Sequence, residues 1–549
     1  MKRKTDAGSR LAEWRSQQRI LAIAKKVHAH ARPRSDLKPI VFFNASARLG
    51  GLSQNAAFSF LSSSGLRLAG LPIHHFVCRK GMSHCVLGVN REDYHTPPPC
   101  SACIEQSHRL YRGAQVHWFT YRPDPVLSKN LEELNLADLS KFEAAIPLDS
   151  GEIEILLPFG QFVLPSIRWA LRRHTLPDDP ETRYLLREFI LSAENLAHEF
   201  ARYLTDLQPM LAVIFNGIMF PEAVARWVAN QLGVRVVTHE VGFQRFSAFF
   251  TDGEATAYPM PIPTQFTLNE RQNQHLDEYL ESRFQGKFTM AGIRFWPEMR
   301  GLDQDFLEKA SKFRQVVPVF TNVIYDTSQV HANQVFSYMF EWLELILEII
   351  REHPETYFVI RAHPDEMRPG TAKLSRESVR DWVMERELNK LDNVRFIDSQ
   401  EYLSSYELIQ RAKFVMVYNS SIGMEAAILG AAVLCGGKAR YTQYPMVFFP
   451  QSTQAYRETA ERFLTSENIE VPLEFKMNAR RFLYYQLYRA SLSFEKFLKE
   501  GKRKGYVQLS SFSWQELLSQ KSGTIRLLEK AILENPRPDS FLQEDFRGN

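Results

Sequence analysis

Short apolar runs recur along the chain, each closed by Asn, Gly, Pro or a polar turn: PIVFFNAS (39–46), IHHFVC (73–78), LAVIFNG (211–217), VRVVTHEVG (234–242), VVPVFTNVIYDTS (316–328), TYFVIRAHP (356–364), VRFID (394–398), FVMVYNSS (414–421) and AVLC (432–435). Their apolar residues are consecutive rather than alternating, which suits parallel strands covered on both faces. Helical spacing fills the intervals. The clearest case is Phe336, Met339, Phe340, Leu343, Ile346, Leu347 and Ile350, one stripe of a long helix that Pro354 ends. Strand, polar loop, helix, strand is the βαβ unit of a doubly wound α/β sheet.

The runs form two sets. Between them, residues 253–315 carry Pro259, Pro261 and Pro263 and then charged helices, with no buried strand. The spacing predicts a basic helical segment over 1–36, a Rossmann-like lobe over 37–265, a linker over 266–315, a second Rossmann-like lobe over 316–480 and a helical tail over 481–549. In the first segment Leu11, Trp14, Ile20, Leu21, Ile23 and Val27 lie among many Lys and Arg, a pattern of a basic surface helix or of one resting on an anionic membrane.

The chain's organising stretch is Phe414–Gly437: strand, turn at Tyr418-Asn419-Ser420-Ser421, short helix with Glu425, then a second strand. Ser420 and Ser421 stand where helix-capping side chains belong, and Glu425 lies one turn on. Asn322, Arg361, His363, Asp398, Ser420, Ser421, Glu425 and Lys438 all fall just past strand ends or one turn into the next helix. Parallel strands bring those ends to one edge, where ligands of such sheets bind. With Arg440, the basic residues suit a phosphate there. In the first lobe the loop Asn44–Gly51 and the pair His239-Glu240 fall at the same kind of edge, and the pair has the chemistry of a proton acceptor. The loop lacks GxGxxG spacing, so it is no dinucleotide fingerprint.

Composition narrows the picture only a little. The chain has 549 residues, 44% hydrophobic and 24% charged, with a formal charge of +4. Nothing in that balance calls for nucleic acid. No apolar run approaches the roughly 20 residues that span a bilayer, and the first residues lack a signal peptide's apolar core, so a cytoplasmic protein is expected. Four of the five cysteines are spaced Cys78-x6-Cys85-x14-Cys100-x2-Cys103. Four thiolates can hold structural zinc or an iron–sulfur cluster; the alternative is reduced, partly buried thiols.

Two doubly wound lobes, a charged linker and a helical tail resemble a GT-B glycosyltransferase. The segments VFTNVIYD, VIRAHPDE, VYNSSIGMEAAILGAAVLCGG, IFNG and THEVG are similar, more narrowly, to those of bacterial capsule and surface-polysaccharide biosynthesis proteins. The resemblance implies transfer of a sugar from a nucleotide-activated donor to a surface glycan or lipid-linked acceptor at the inner membrane face, without a metal at the donor site. It places Asn322, Arg361, His363, Ser420, Ser421, Glu425 and Lys438 on the donor, with Glu425 on the ribose. It gives the first lobe to the acceptor, at Asn44, Arg48 and Gly51, and makes Glu240, then His239, then Asp326 the base. Peripheral attachment to the inner membrane is a further expectation. The rival readings are a scaffold protein of the same pathway, a sugar-nucleotide 2-epimerase and a CDP-polyol phosphotransferase.

Overall fold

The computed structural model describes residues 7–45, 51–148, 153–285, 289–290, 293–294, 299–368, 374–501 and 505–545. Two sheets carry the architecture. The first is built from β1 (Ile40–Asn44), β2 (Ile73–Cys78), β3 (Gln115–Phe119), β4 (Leu211–Phe215), β5 (Arg235–Val241) and β6 (Ser247–Thr251). The second is built from β7 (Gln315–Phe320), β8 (Thr356–Arg361), β9 (Val394–Ile397), β10 (Val415–Val417) and β11 (Val433–Cys435). A last strand, β12 (Leu492–Ser493), returns to the first sheet. The orders are β12-β6-β5-β4-β1-β2-β3 and β9-β8-β7-β10-β11. All ladders are parallel except β5–β6 and β6–β12.

Both sheets are covered on two faces, as their continuous apolar runs demand. In the second, Val317, Val319, Phe358 and Ile360 pack under the helix Met339–Glu352, while Phe320, Val415 and Val417 pack on the other side against the helices Ile422–Ile428 and Leu473–Tyr484. This is a two-lobed, Rossmann-like α/β fold of the GT-B type.

Three segments depart from the boundaries drawn from spacing. The helix Ala7–His30 buries Ile20, Ile23, Ala24 and Val27 in the first lobe's core, so that part of its apolar face is taken up by the protein and is not left for a membrane. The helix Glu270–Phe284, expected in a linker, packs on Leu473–Tyr484 and sends Arg283 into the second lobe. The tail is not simply helical: β12 joins the first sheet beside β6, and the helix Gly523–Leu533 packs on Gln54–Leu68. Among the described residues no helix is long and apolar enough to cross a membrane.

Candidate functional site

Register builds the site. Phe320 of β7 pairs with Arg361 of β8 and Val417 of β10; Arg361 pairs with Ile397, and Val417 with Cys435. Five strands therefore end on one line, and the chain beyond each end spills onto the same rim.

Two cavities open there. The smaller is lined by Arg283, Phe320, Thr321, Arg361, His363, Tyr406, Ser420, Ser421 and Glu425, among others. The larger, about 550 Å³, lies between the lobes. The first lobe gives it Trp169, Arg172, Phe243, Glu254 and Thr256, and the second Asn322, Asp326, His331, Asn419, Lys438 and Arg440. His363, Ser420 and Ser421 line both, so they form the wall where the two meet.

The junction has defined chemistry. His363 Nδ1 accepts from the Asp365 backbone N–H at 3.1 Å, so the neutral ring carries its proton on Nε2. Ser421 stands at the N-cap of Ile422–Ile428 with αR backbone and makes no side-chain capping bond, contrary to the capping role read from sequence. The helix is held close to its neighbours through Gly423, where a Cβ would lie 2.3 Å from the Tyr441 hydroxyl. Asn322 donates to Asn419 Oδ1 at 2.7 Å, tying the β7 and β10 loops together. Arg361 is buried at the strand end, and desolvation lowers its guanidinium to about 10, still charged at neutral pH.

Glu425 lines the smaller cavity but is only 2% exposed. Its Oε1 accepts from Arg283 at 2.6 Å and its Oε2 from the Tyr406 hydroxyl at 2.5 Å. The carboxylate is thus already paired inside the wall, so a ribose could use only what acceptor capacity these partners leave. Glu366, three residues past His363, is 1% exposed and lines neither cavity; its Oε1 accepts from the Val379 N–H at 2.8 Å, and burial raises its carboxyl to about 8. Asp398 does not enter either cavity and pairs with Arg380 at 3.0 Å.

The first-lobe expectations fare differently. His239 is 2% exposed, tilted against Phe215 and Phe250, and desolvation pushes its imidazole down to about 3; it faces the core rather than the cleft. Glu240 is held by Asn216 at 3.0 Å, Asn55 at 3.4 Å and the Val241 N–H at 2.8 Å, and burial raises its pKa. It does not line the cleft. Period-2 pointing along β5 sends the two side chains to opposite faces, His239 among aromatic rings and Glu240 onto the two asparagines, an outcome the sequence pattern alone did not reveal. Asn44 donates to Ser59 at 2.9 Å and pairs with His75 at 2.8 Å, and Gly51 sits against Tyr506, so neither reaches the cleft. Arg48 lies outside the described residues. Asp326 does line the cleft and is exposed.

Residues missed in the sequence include Arg283, Tyr406, Arg172, Glu254 and His331. None follows a strand of the second sheet directly, and Arg172 and Arg283 come from helix ends on other layers.

All four spaced cysteines border a small separate cavity by the first sheet. Burial pushes the thiols of Cys78 and Cys85 up to about 12, and Cys78 Sγ accepts from the Gly81 N–H at 3.1 Å. Among the described residues no group of three or more His, Cys, Asp or Glu stands where it could hold a metal ion as the side chains are placed.

Two facing Rossmann-like lobes with a polar cleft at the carboxyl ends of the second sheet define a GT-B-type protein. The family described as "Capsule polysaccharide biosynthesis protein" matches residues 269–448, about a third of the chain, which cover most of the second lobe and its rim. No curated protein matches the chain. Among solved structures it is similar to the Thermosulfurimonas dismutans KpsC beta Kdo 2,4 transferase, at 12% identity and TM-score 0.34 over 55% of this chain and 84% of that one. The beta Kdo 2,7 transferase of the same KpsC matches at 16% identity and TM-score 0.31, over 58% of this chain and 86% of that one. A UDP-GlcNAc 2-epimerase from Neisseria meningitidis, bound to UDP-GlcNAc, matches at 14% identity and TM-score 0.24, over 82% and 99%. At such scores these likenesses carry nothing about the chemistry of the cleft.

Proposed function

We propose that the protein is a glycosyltransferase of capsule polysaccharide assembly, moving a sugar from a nucleotide-activated donor to a glycan or lipid-linked acceptor. One observation carries the reading: His363, Ser420 and Ser421 form the shared wall of a small cavity inside the second lobe and a large cleft between the lobes. A nucleotide sugar has that layout, with a nucleoside and a sugar on either side of a diphosphate. The His363 Nε2–H and the two hydroxyls are hydrogen-bond donors for the phosphates, and Arg361 supplies charge from the sheet end. The smaller cavity takes the nucleoside, with Glu425 and Tyr406 in its wall. The large cleft takes the sugar and the acceptor hydroxyl. With a guanidinium and three donors at the diphosphate, the leaving group's charge is met by side chains, and the reading asks for no metal there. The work is done on the cytoplasmic side, at the inner membrane face where a lipid-linked acceptor resides.

The test is a panel of nucleoside diphosphates and nucleotide sugars read by thermal stabilisation, followed by transfer assays with those that bind. A ligand present at about a hundred times its dissociation constant adds about 2.7 kcal/mol of stability. His363→Ala should abolish this stabilisation while leaving the unliganded protein's own melting within a few degrees, because the side chain is only half-buried and lines a cavity. A panel with no stabilising nucleotide refutes the reading.

A further inference from the structure

We propose that His331, oriented across the cleft by Glu254, is the base that takes the proton of the acceptor hydroxyl; this rests on the transferase reading above. The two residues come from different lobes. Glu254 follows β6 of the first sheet, and His331 lies on the segment after β7 of the second. They meet at 2.5 Å, His331 Nε2 to Glu254 Oε2. Both line the interlobe cleft, and both also line an adjoining cavity of about 600 Å³.

The arrangement has the parts of an activated base. The second oxygen of Glu254 pairs with Arg226, so each carboxylate oxygen has a partner. Burial works against the charge of Glu254, yet His331 and Arg226 together hold its carboxyl down to about 2. A carboxylate on Nε2 fixes the tautomer with the proton on that nitrogen and leaves Nδ1 as an acceptor. Among the described residues no hydrogen bond engages Nδ1, and the side chain is 49% exposed. Asp326 borders the same two cavities, but among the described residues its carboxylate accepts from a single hydroxyl, Ser328 Oγ at 3.4 Å, and has no charged partner to orient it.

The step balances as follows. Nδ1 takes the acceptor hydroxyl's proton as the oxygen's lone pair forms a bond to the anomeric carbon. The bond from that carbon to the donor's phosphate oxygen breaks, and its electron pair leaves with the nucleoside diphosphate, at the wall formed by His363, Ser420 and Ser421. The imidazolium formed is stabilised by Glu254 and returns its proton to solvent. Because the pair spans the lobes, the base is in place only while the cleft holds its present width.

The experiment compares wild type, His331→Ala, His331→Gln and Glu254→Gln, using a nucleotide sugar from the panel and a glycan acceptor. Expected are a fall in kcat of about 100-fold or more for both His331 variants and a smaller one for Glu254→Gln, with nucleotide-induced stabilisation unchanged throughout. Added imidazole should restore part of the rate in His331→Ala, and not in His331→Gln, whose side chain fills the space. A His331→Ala enzyme that transfers within about threefold of wild type, or an impaired one that imidazole leaves untouched, overturns the assignment of the base alone. A wild-type protein that binds nucleotide sugars and transfers nothing overturns the transferase reading, and the base with it.

Discussion

Glu425 shows how a residue's neighbours change what it is for. In the sequence it is an acidic residue one turn into a helix at the ligand edge; in the fold it is one corner of a buried triad with Arg283 and Tyr406. Removing one partner of a buried ion pair leaves the other uncompensated, at a cost of roughly 3–5 kcal/mol. Glu425→Ala should therefore lower the unfolding free energy by about that amount in urea titrations, with any loss of nucleotide affinity following from the damaged wall. A loss below about 1 kcal/mol would return Glu425 to the role of a ligand contact. Glu366 gives a pH prediction. Its carboxyl, raised by burial to about 8 from an ordinary 4.5, binds a proton in the fold that the unfolded chain has already released. Between those two values the native state holds more protons, so stability falls as pH rises, and the effect is complete once pH passes about 8. Glu366→Gln should flatten that part of the pH–stability curve. An unchanged slope in the variant would mean that other groups set it; Glu222, also raised to about 8 by burial, is the internal comparison.

At the scale of elements, the rim owes its shape to strand register and to one close contact. The helix Ile422–Ile428 can bring Ser420 and Ser421 to the junction because Gly423 lets the Tyr441 hydroxyl approach, where it donates to the Ser420 carbonyl at 3.0 Å. A methyl at that position would have to displace a tyrosine buried at 3% exposure. Overpacking of this kind costs about 1–3 kcal/mol. Gly423→Ala should lose stability in that range and weaken nucleotide binding about tenfold, both read in one thermal titration; wild-type binding would mean that the serines' placement does not depend on this contact. Much of this rim was legible in the chain. Consecutive apolar residues identified β7, β8, β9, β10 and β11, and the polar residues after each strand were readable as neighbours because parallel strands share an end. The β5 end was not legible in the same way, since β5 pairs antiparallel with β6, His239 is buried beside Phe215 and Phe250, and Glu240 is engaged by Asn216 and Asn55.

Across the whole molecule the two lobes are bound together by more than the linker. Arg440 donates to the Thr256 carbonyl at 2.8 Å, Met260 N–H to Gln443 at 3.0 Å, and Glu377 accepts from the backbone of His174 and Thr175 at 2.8 and 2.9 Å. The C-terminal part closes the first lobe. β12 covers the edge of β6, and Arg235 reaches the carbonyl of Ala531 at 3.0 Å on the helix that packs over Gln54–Leu68. Truncation after residue 490 should expose that edge and the part of the first lobe's core that Leu492, Phe494, Leu528 and Ile532 cover, including Phe58, Leu61, Ala248 and Phe250. The expected outcome is a protein that aggregates or unfolds at a markedly lower temperature. A truncated chain melting with wild type would mean that the first lobe stands without its tail. The sequence by itself determined that there are two parallel α/β lobes and which loops of the second one share a rim, because strand burial and strand ends are local and periodic. Only the tertiary structure decided that Arg283 neutralises Glu425, that His239 is buried among aromatic rings while Asn216 and Asn55 hold Glu240, and that Glu254 meets His331 across the cleft. Those pairings depend on how separate layers dock, and docking is set by side-chain shape and charge between segments that carry no shared period along the chain.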